Sequence, residues 1–117
     1  MKSVETPLPG GGTAFPFGHQ PTGTIIYMAG GTMAVHIAGS DQAAGKFMVY
    51  AADWHIAGDC VVHEVKESID PKLRGVKLER RAELDPLTGI LTYRTLEKQG
   101  PGWPVVRWQK IDVRNGN

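Results

Sequence analysis

The feature that most constrains this chain is its punctuation. Turn-forming residues recur roughly every ten positions: Pro21-Thr22-Gly23, Gly30-Gly31, Gly39, Gly58, Asp70-Pro71, Asp85-Pro86-Leu87-Thr88-Gly89 and Gly100-Pro101-Gly102. Between them lie runs rich in Val, Ile, Thr and aromatic residues. Short extended runs at this spacing point to an antiparallel all-β sandwich or barrel, and no window carries the i, i+3, i+4, i+7 stripe of a helix. The runs predict strands at 24–29, 32–38, 46–56, 60–69, 75–84, 90–97 and 104–113, with a weaker one at 13–17. One helical turn is expected within Asp41–Lys46. Residues 1–12, rich in Pro and Gly, read as an irregular lead to a single domain over 13–117, since 117 residues leave room for one domain.

Several runs alternate cleanly, which assigns their faces. In 75–84, Val76, Leu78, Ala82 and Leu84 share one face while Lys77, Glu79, Arg81 and Glu83 take the other, the pattern of a half-buried strand. Arg80 breaks it by standing on the apolar side. In 60–69, Val61, Val65 and Ile69 share a face with His63 and Glu67. In 46–56, Met48, Tyr50, Ala52, Trp54 and Ile56 form the inner row, leaving Asp53 and His55 outside.

Short hairpin loops then set which inner residues meet. A four-residue loop at Asp70-Pro71-Lys72-Leu73 places His63 opposite Arg80. One at Pro86-Leu87-Thr88-Gly89 places Arg80 opposite Thr95 and Ala82 opposite Tyr93. A turn across Ala57-Gly58-Asp59-Cys60 places Trp54 opposite His63. Together these predict a belt of Trp54, His63, Arg80 and Thr95 around one interior, with Tyr93 and Trp108 in the next layer.

A buried guanidinium needs an internal partner, an aqueous cavity, or a ligand with an anionic or carbonyl oxygen, because an unpaired buried charge is avoided. Glu67 is the expected internal partner of Arg80. His63 is the candidate general acid or base, since imidazole titrates near neutrality. Tyr27, Tyr50, Trp54, Tyr93 and Trp108 fall mostly on the inner parity. They pack the core or line a cavity, and their polar tips need partners either way.

Other chemistries are poorly served. A formal net charge of +1 gives no electrostatic case for nucleic acid or an anionic membrane. His55 and His63 fall on opposite faces, so no metal site is expected. Cys60 is the single cysteine, beside Asp59, and suits neither a disulfide nor an activated nucleophile. No phosphate or dinucleotide fingerprint is present, so no cofactor is expected. The N-terminus lacks the apolar stretch of a secretory signal, which with the lone cysteine suggests the cytoplasm.

Phe15-Pro16-Phe17-Gly18, Pro21-Thr22-Gly23-Thr24-Ile25-Ile26-Tyr27 and Gly31-Thr32-Met33 resemble the opening hairpin of the lipocalin-like domain family. Val62-His63-Glu64-Val65 with Ser68, Pro71 and Gly75, then Glu79-Arg80 and Glu83-Leu84-Asp85, resemble its middle, and Leu91-Thr92 and Trp108 its last strands. The likeness spans residues 13–111. It departs at the start, where the family's Gly-Thr-Trp strand has no counterpart, and at Ala38–Gly45, which is short. The resemblance implies an up-and-down lipocalin-like barrel of seven or eight strands, incomplete at its N-terminal strand, with His63 and Arg80 facing inward. It also implies a cofactor-independent isomerase, cyclase or dehydratase of secondary metabolism, or a carrier that binds without reaction. The ligand expected is an apolar, oxygenated, polyketide-like small molecule, with Tyr27, Tyr50, Trp54, Glu67, Tyr93, Thr95 and Trp108 around it. A strand edge left unpaired by the missing strand suggests a homodimer.

Overall fold

Each of the punctuated runs contains a strand in the computed structural model, which describes residues 1–96 and 103–109. The strands are β1 (Ser3–Pro7), β2 (Thr13–Ala14), β3 (Thr22–Tyr27), β4 (Thr32–Ala38), β5 (Phe47–Ala57), β6 (Cys60–Ser68), β7 (Lys77–Leu84), β8 (Ile90–Thr95) and β9 (Val105–Gln109). The helical turn expected near Asp41 is a short 3-10 turn at Asp41–Ala43, and a second covers Pro71–Leu73. The ends of two expected strands, residue 97 and residues 110–113, lie outside the described residues. No described helix is long and apolar enough to cross a membrane.

The N-terminal lead is not irregular as the prolines suggested. Ser3–Glu5 pairs with Val105–Arg107 of β9, Val4 is fully buried, and Glu5 holds Arg107 in an ion pair. Pro7 sits at the strand's end, where a missing N–H costs no ladder bond. Alternation over five residues was too short a signal beside two prolines and three consecutive glycines.

All pairings are antiparallel, in a single nine-stranded sheet ordered β2-β1-β9-β8-β7-β6-β5-β4-β3. The sheet is not closed: among the described residues β3 pairs only with β4. It nevertheless curls tightly. The hydroxyls of Tyr27 on β3 and Tyr93 on β8 meet at 2.7 Å, although β4 to β7 separate those strands in the sheet order. The concave side buries alternate residues of successive strands: Met33, Val35 and Ile37 of β4, Tyr50 and Ala52 of β5, Val65 of β6, Leu78 of β7, Tyr93 of β8, and Val106 and Trp108 of β9. Each large apolar side chain removed from water there stabilises the fold by about 1.5–3 kcal/mol.

Two of the three expected registers hold. Trp54 pairs with His63, and Arg80 and Ala82 pair with Thr95 and Tyr93. The third slides by two residues: His63 pairs with Leu78, and Arg80 with Val61. The β6–β7 ladder ends where Val65 exchanges hydrogen bonds with Gly75 and Val76, so a longer connection containing the 3-10 turn replaces the four-residue loop. A shift of two keeps parity, so both side chains still face inward.

A bulge on β6 does change parity. The β5–β6 register jumps between Ala51↔Glu67 and Ala52↔Val65, leaving Lys66 as the extra residue. Beyond it Ser68 turns in and is buried, while Glu67 and Ile69 turn out. Glu67 is therefore not the internal partner of Arg80. Ile56, near the end of β5, is also exposed and does not complete the inner row.

Candidate functional site

The site begins with a hairpin. Tyr27 ends β3, and the turn to β4 closes with Gly31 donating to Met28 O at 3.0 Å and Met28 donating to Thr32 O at 2.9 Å. Gly31 has φ +95°, a left-handed conformation that a side chain resists. β5 fastens this turn: the Trp54 backbone donates to Gly31 O at 2.8 Å and its indole to Met28 O at 2.9 Å. The indole thereby meets the Tyr27 ring edge-on, with centroids 5.1 Å apart. His63, cross-strand from Trp54, projects from β6 into the same space.

Four rings share one hydrogen-bond chain. His63 Nε2 lies 2.6 Å from Tyr27 Oη, His63 Nδ1 lies 2.7 Å from Tyr50 Oη, and Tyr27 Oη lies 2.7 Å from Tyr93 Oη. A neutral imidazole has one donor and one acceptor nitrogen, so one tyrosine donates to His63 while the other accepts. A tautomer change reverses the direction of every bond in the chain. His63 is 1% exposed; Tyr50 and Tyr93 are also buried, and only Tyr27 is partly exposed.

Arg80 stands beside this chain, 5% exposed. Its Nη1 donates to Thr95 Oγ1 at 2.9 Å, and its guanidinium lies 5.8 Å from the Trp103 ring centre. Its Nε is buried with no hydrogen-bond partner among the described residues. The charge acts on the rings. Burial, and then Arg80, hold the His63 imidazolium down to a pKa of about 3, so the ring is neutral at neutral pH. Burial pushes the Tyr50 hydroxyl up, and the adjacent guanidinium partly offsets this. Tyr27 and Tyr93 are also pushed up, chiefly by burial.

A groove of about 470 Å³ runs along the unpaired edge of β3. Residues 23–27 form one wall, and Leu84, Leu91, Trp108 and Met1 face them. This volume is within the range of small-molecule sites, roughly 300–1,000 Å³. Tyr27 lines the groove and also belongs to the ring chain. Hydroxyl chemistry is thus joined to apolar walls at one residue.

The structure brings Tyr27, Tyr50, His63 and Tyr93 into direct contact, sets Arg80 with Thr95 beside them, packs Trp54 on Tyr27, and puts Trp108 in the groove wall. Glu67 lies on the opposite face. His63 and Arg80 line none of the groove. Leu84, Leu91, Ile25 and Met1 were not foreseen as groove residues; the visible signal was Leu84 and Leu91 on inner parity at a strand end. Trp103 over Arg80 was also missed. Among the described residues no group of His, Cys, Asp and Glu could hold a metal ion. Comparison with family models, curated proteins and solved structures finds no match to this chain.

Proposed function

We propose that the chain holds an apolar, oxygenated small molecule in the groove beside β3, with the Tyr27 hydroxyl donating to an oxygen of the ligand. The observation that carries this reading is the double membership of Tyr27: it is the partly exposed member of an otherwise buried hydrogen-bond chain and a wall of an apolar groove. Donation suits a hydroxyl whose ionisation burial opposes. The curled sheet is then a short, open relative of the lipocalin-like barrel, and a second copy of the chain is its partner, because β3 has a free edge.

The test uses native mass spectrometry of the purified chain for retained small molecules, and titration with 2-naphthol followed by tryptophan fluorescence. Wild type shows saturable quenching, because Trp108 lines the groove and Trp54 abuts Tyr27. Leu84→Arg and Tyr27→Phe each weaken binding about tenfold, equivalent to about 1.4 kcal/mol. Binding unchanged by both substitutions overturns the groove assignment.

A second reading, a cofactor-independent isomerase, cyclase or dehydratase, is favoured by the continuity of the ring chain. In it Tyr27 gives its proton to the substrate oxygen and takes one from His63 Nε2, while Nδ1 takes the proton of Tyr50. The electron pair left on Tyr50 Oη lies beside the Arg80 guanidinium, which offsets its charge. In an isomerisation or cyclisation the proton returns along the same path when the product leaves; in a dehydration it departs in the expelled water and the proton lost from the substrate carbon takes its place on the chain. His63 changes tautomer and never becomes charged, which a pKa near 3 requires. Turnover of a retained molecule, abolished by His63→Leu with binding preserved, supports catalysis. Binding without turnover leaves the carrier.

A further inference from the structure

The convex surface of the sheet has two unlike parts. Across β5 to β8 it is charged and paired, with Lys66 on Asp53, Arg81 on Asp59 and Arg94 on Glu83. The outward positions of β3, of β4, and of β5 as far as Ala51 contain no Lys, Arg, Asp or Glu. In their place stand Ile26 at 55% exposure and Phe47 at 62%, joined by Ile69 of the bulged β6 end at 58% and by exposed Val49. His36 is the one titratable side chain among those outward positions, and its Nδ1 accepts the Thr24 N–H at 3.3 Å.

This face has relief as well as apolarity. Ala34 and Ala51 are cross-strand neighbours, and their small side chains leave a trough of about 330 Å³ walled by Val49, Ile69 and Glu67. Ile26 pairs with Ala34 on the trough's other flank and stands proud of the sheet. A ridge beside a hollow of matching chemistry is the requirement for an isologous contact, in which a two-fold axis sets each copy's ridge in the other's hollow. The exposed apolar side chains offer on the order of 500 Å² per copy, so that pairing two faces reaches the roughly 1,000 Å² at which specific interfaces begin.

We propose that a second copy of this chain packs face to face on the outer side of β3–β5, with Ile26 of each copy seated over Ala34 and Ala51 of the other. The contact leaves the β3 edge and its groove open. This rests on the homodimer in the proposed function and moves the interface from the strand edge to the sheet face.

The experiment is sedimentation velocity and light scattering on the full chain over a concentration series. Wild type is expected at twice 12.7 kDa. Ile26→Lys and Ala51→Lys, both at exposed positions, are each expected to weaken association about 100-fold by burying a charge at the centre of the contact. Arg94→Glu, on the charged face, keeps the dimer. Circular dichroism verifies the fold of each variant, and should Ala51→Lys fail to fold, Ile26→Lys decides. A dimer that both substitutions leave intact overturns the face assignment while the second copy stands. A chain that is monomeric throughout overturns both, whatever the groove binds.

Discussion

The two flanks of the sheet use the same alternation to opposite ends. From β5 to β8 every strand is paired on both edges, the convex side is solvated by charge pairs, and the concave side holds a polar chain sealed from water. At β3 one edge is free, the convex side is apolar, and the concave side opens into a groove. A polar group can be buried only where its partners are fixed, and the doubly paired strands fix them. The open flank has no such constraint, and both the proposed ligand groove and the proposed contact between copies lie there. Tyr27 joins the two, and the substitutions below separate their contributions.

The largest expected effect tests how completely the inner flank is sealed. The folded-state pKa of His63 is depressed, so the unfolded chain takes up a proton below about pH 6.5 that the folded chain refuses until about pH 3. Stability therefore rises with pH in this window and falls as acid is added, by about 1.4 kcal/mol per pH unit and by as much as roughly 5 kcal/mol over its whole width. Urea denaturation at pH 7.5 and pH 4 measures it. His63→Gln, which keeps a donor and an acceptor without titrating, should remove most of the difference. An equal loss in the variant would mean that water already reaches the imidazole.

Next come the two hydroxyls on His63. Tyr50→Phe strands Nδ1 in a buried site, which costs about 1–3 kcal/mol. Tyr27→Phe removes the partner of both Nε2 and the buried Tyr93 hydroxyl, but Tyr27 itself lines the groove, so water can take the place of its hydroxyl and the cost should be less than about 1 kcal/mol. Equal costs, measured by chemical denaturation, would erase the distinction between a sealed and an open end.

Much of this inner arrangement was legible because parity survives errors of register. The His63–Arg80 pairing came out two residues off, yet both side chains still face inward, since side chains repeat every two residues. Trp54–His63 and Arg80–Thr95 were readable from tight turns. Glu67 was lost to a bulge at Lys66, which adds one residue and so inverts a face, and neither Gly nor Pro marks it. β1 was hidden because its signal is a single buried residue, Val4, whose partner Val106 lies near the other end of the chain. The groove was unreadable for a related reason. It depends on which strands fail to pair, and local alternation describes only the strands themselves.

The smallest expected effect concerns the convex side. Arg94 reaches diagonally from β8, where it stands opposite Arg81, to Glu83 of β7 at 3.7 Å, both about half exposed. In water at physiological ionic strength such a pair gains little Coulomb energy and loses side-chain freedom in forming, so its net worth is about 0–1 kcal/mol. Arg94→Ala should lower stability by no more than roughly 0.5 kcal/mol and leave the acid dependence of His63 unchanged. The charge pairs of β5–β8 then serve to keep that face in water, while the fold is held from inside. A loss comparable to that of Tyr50→Phe would instead make the charged surface part of what holds the sheet in its curl, and the contrast between the flanks would no longer be one of sealed interior against open edge.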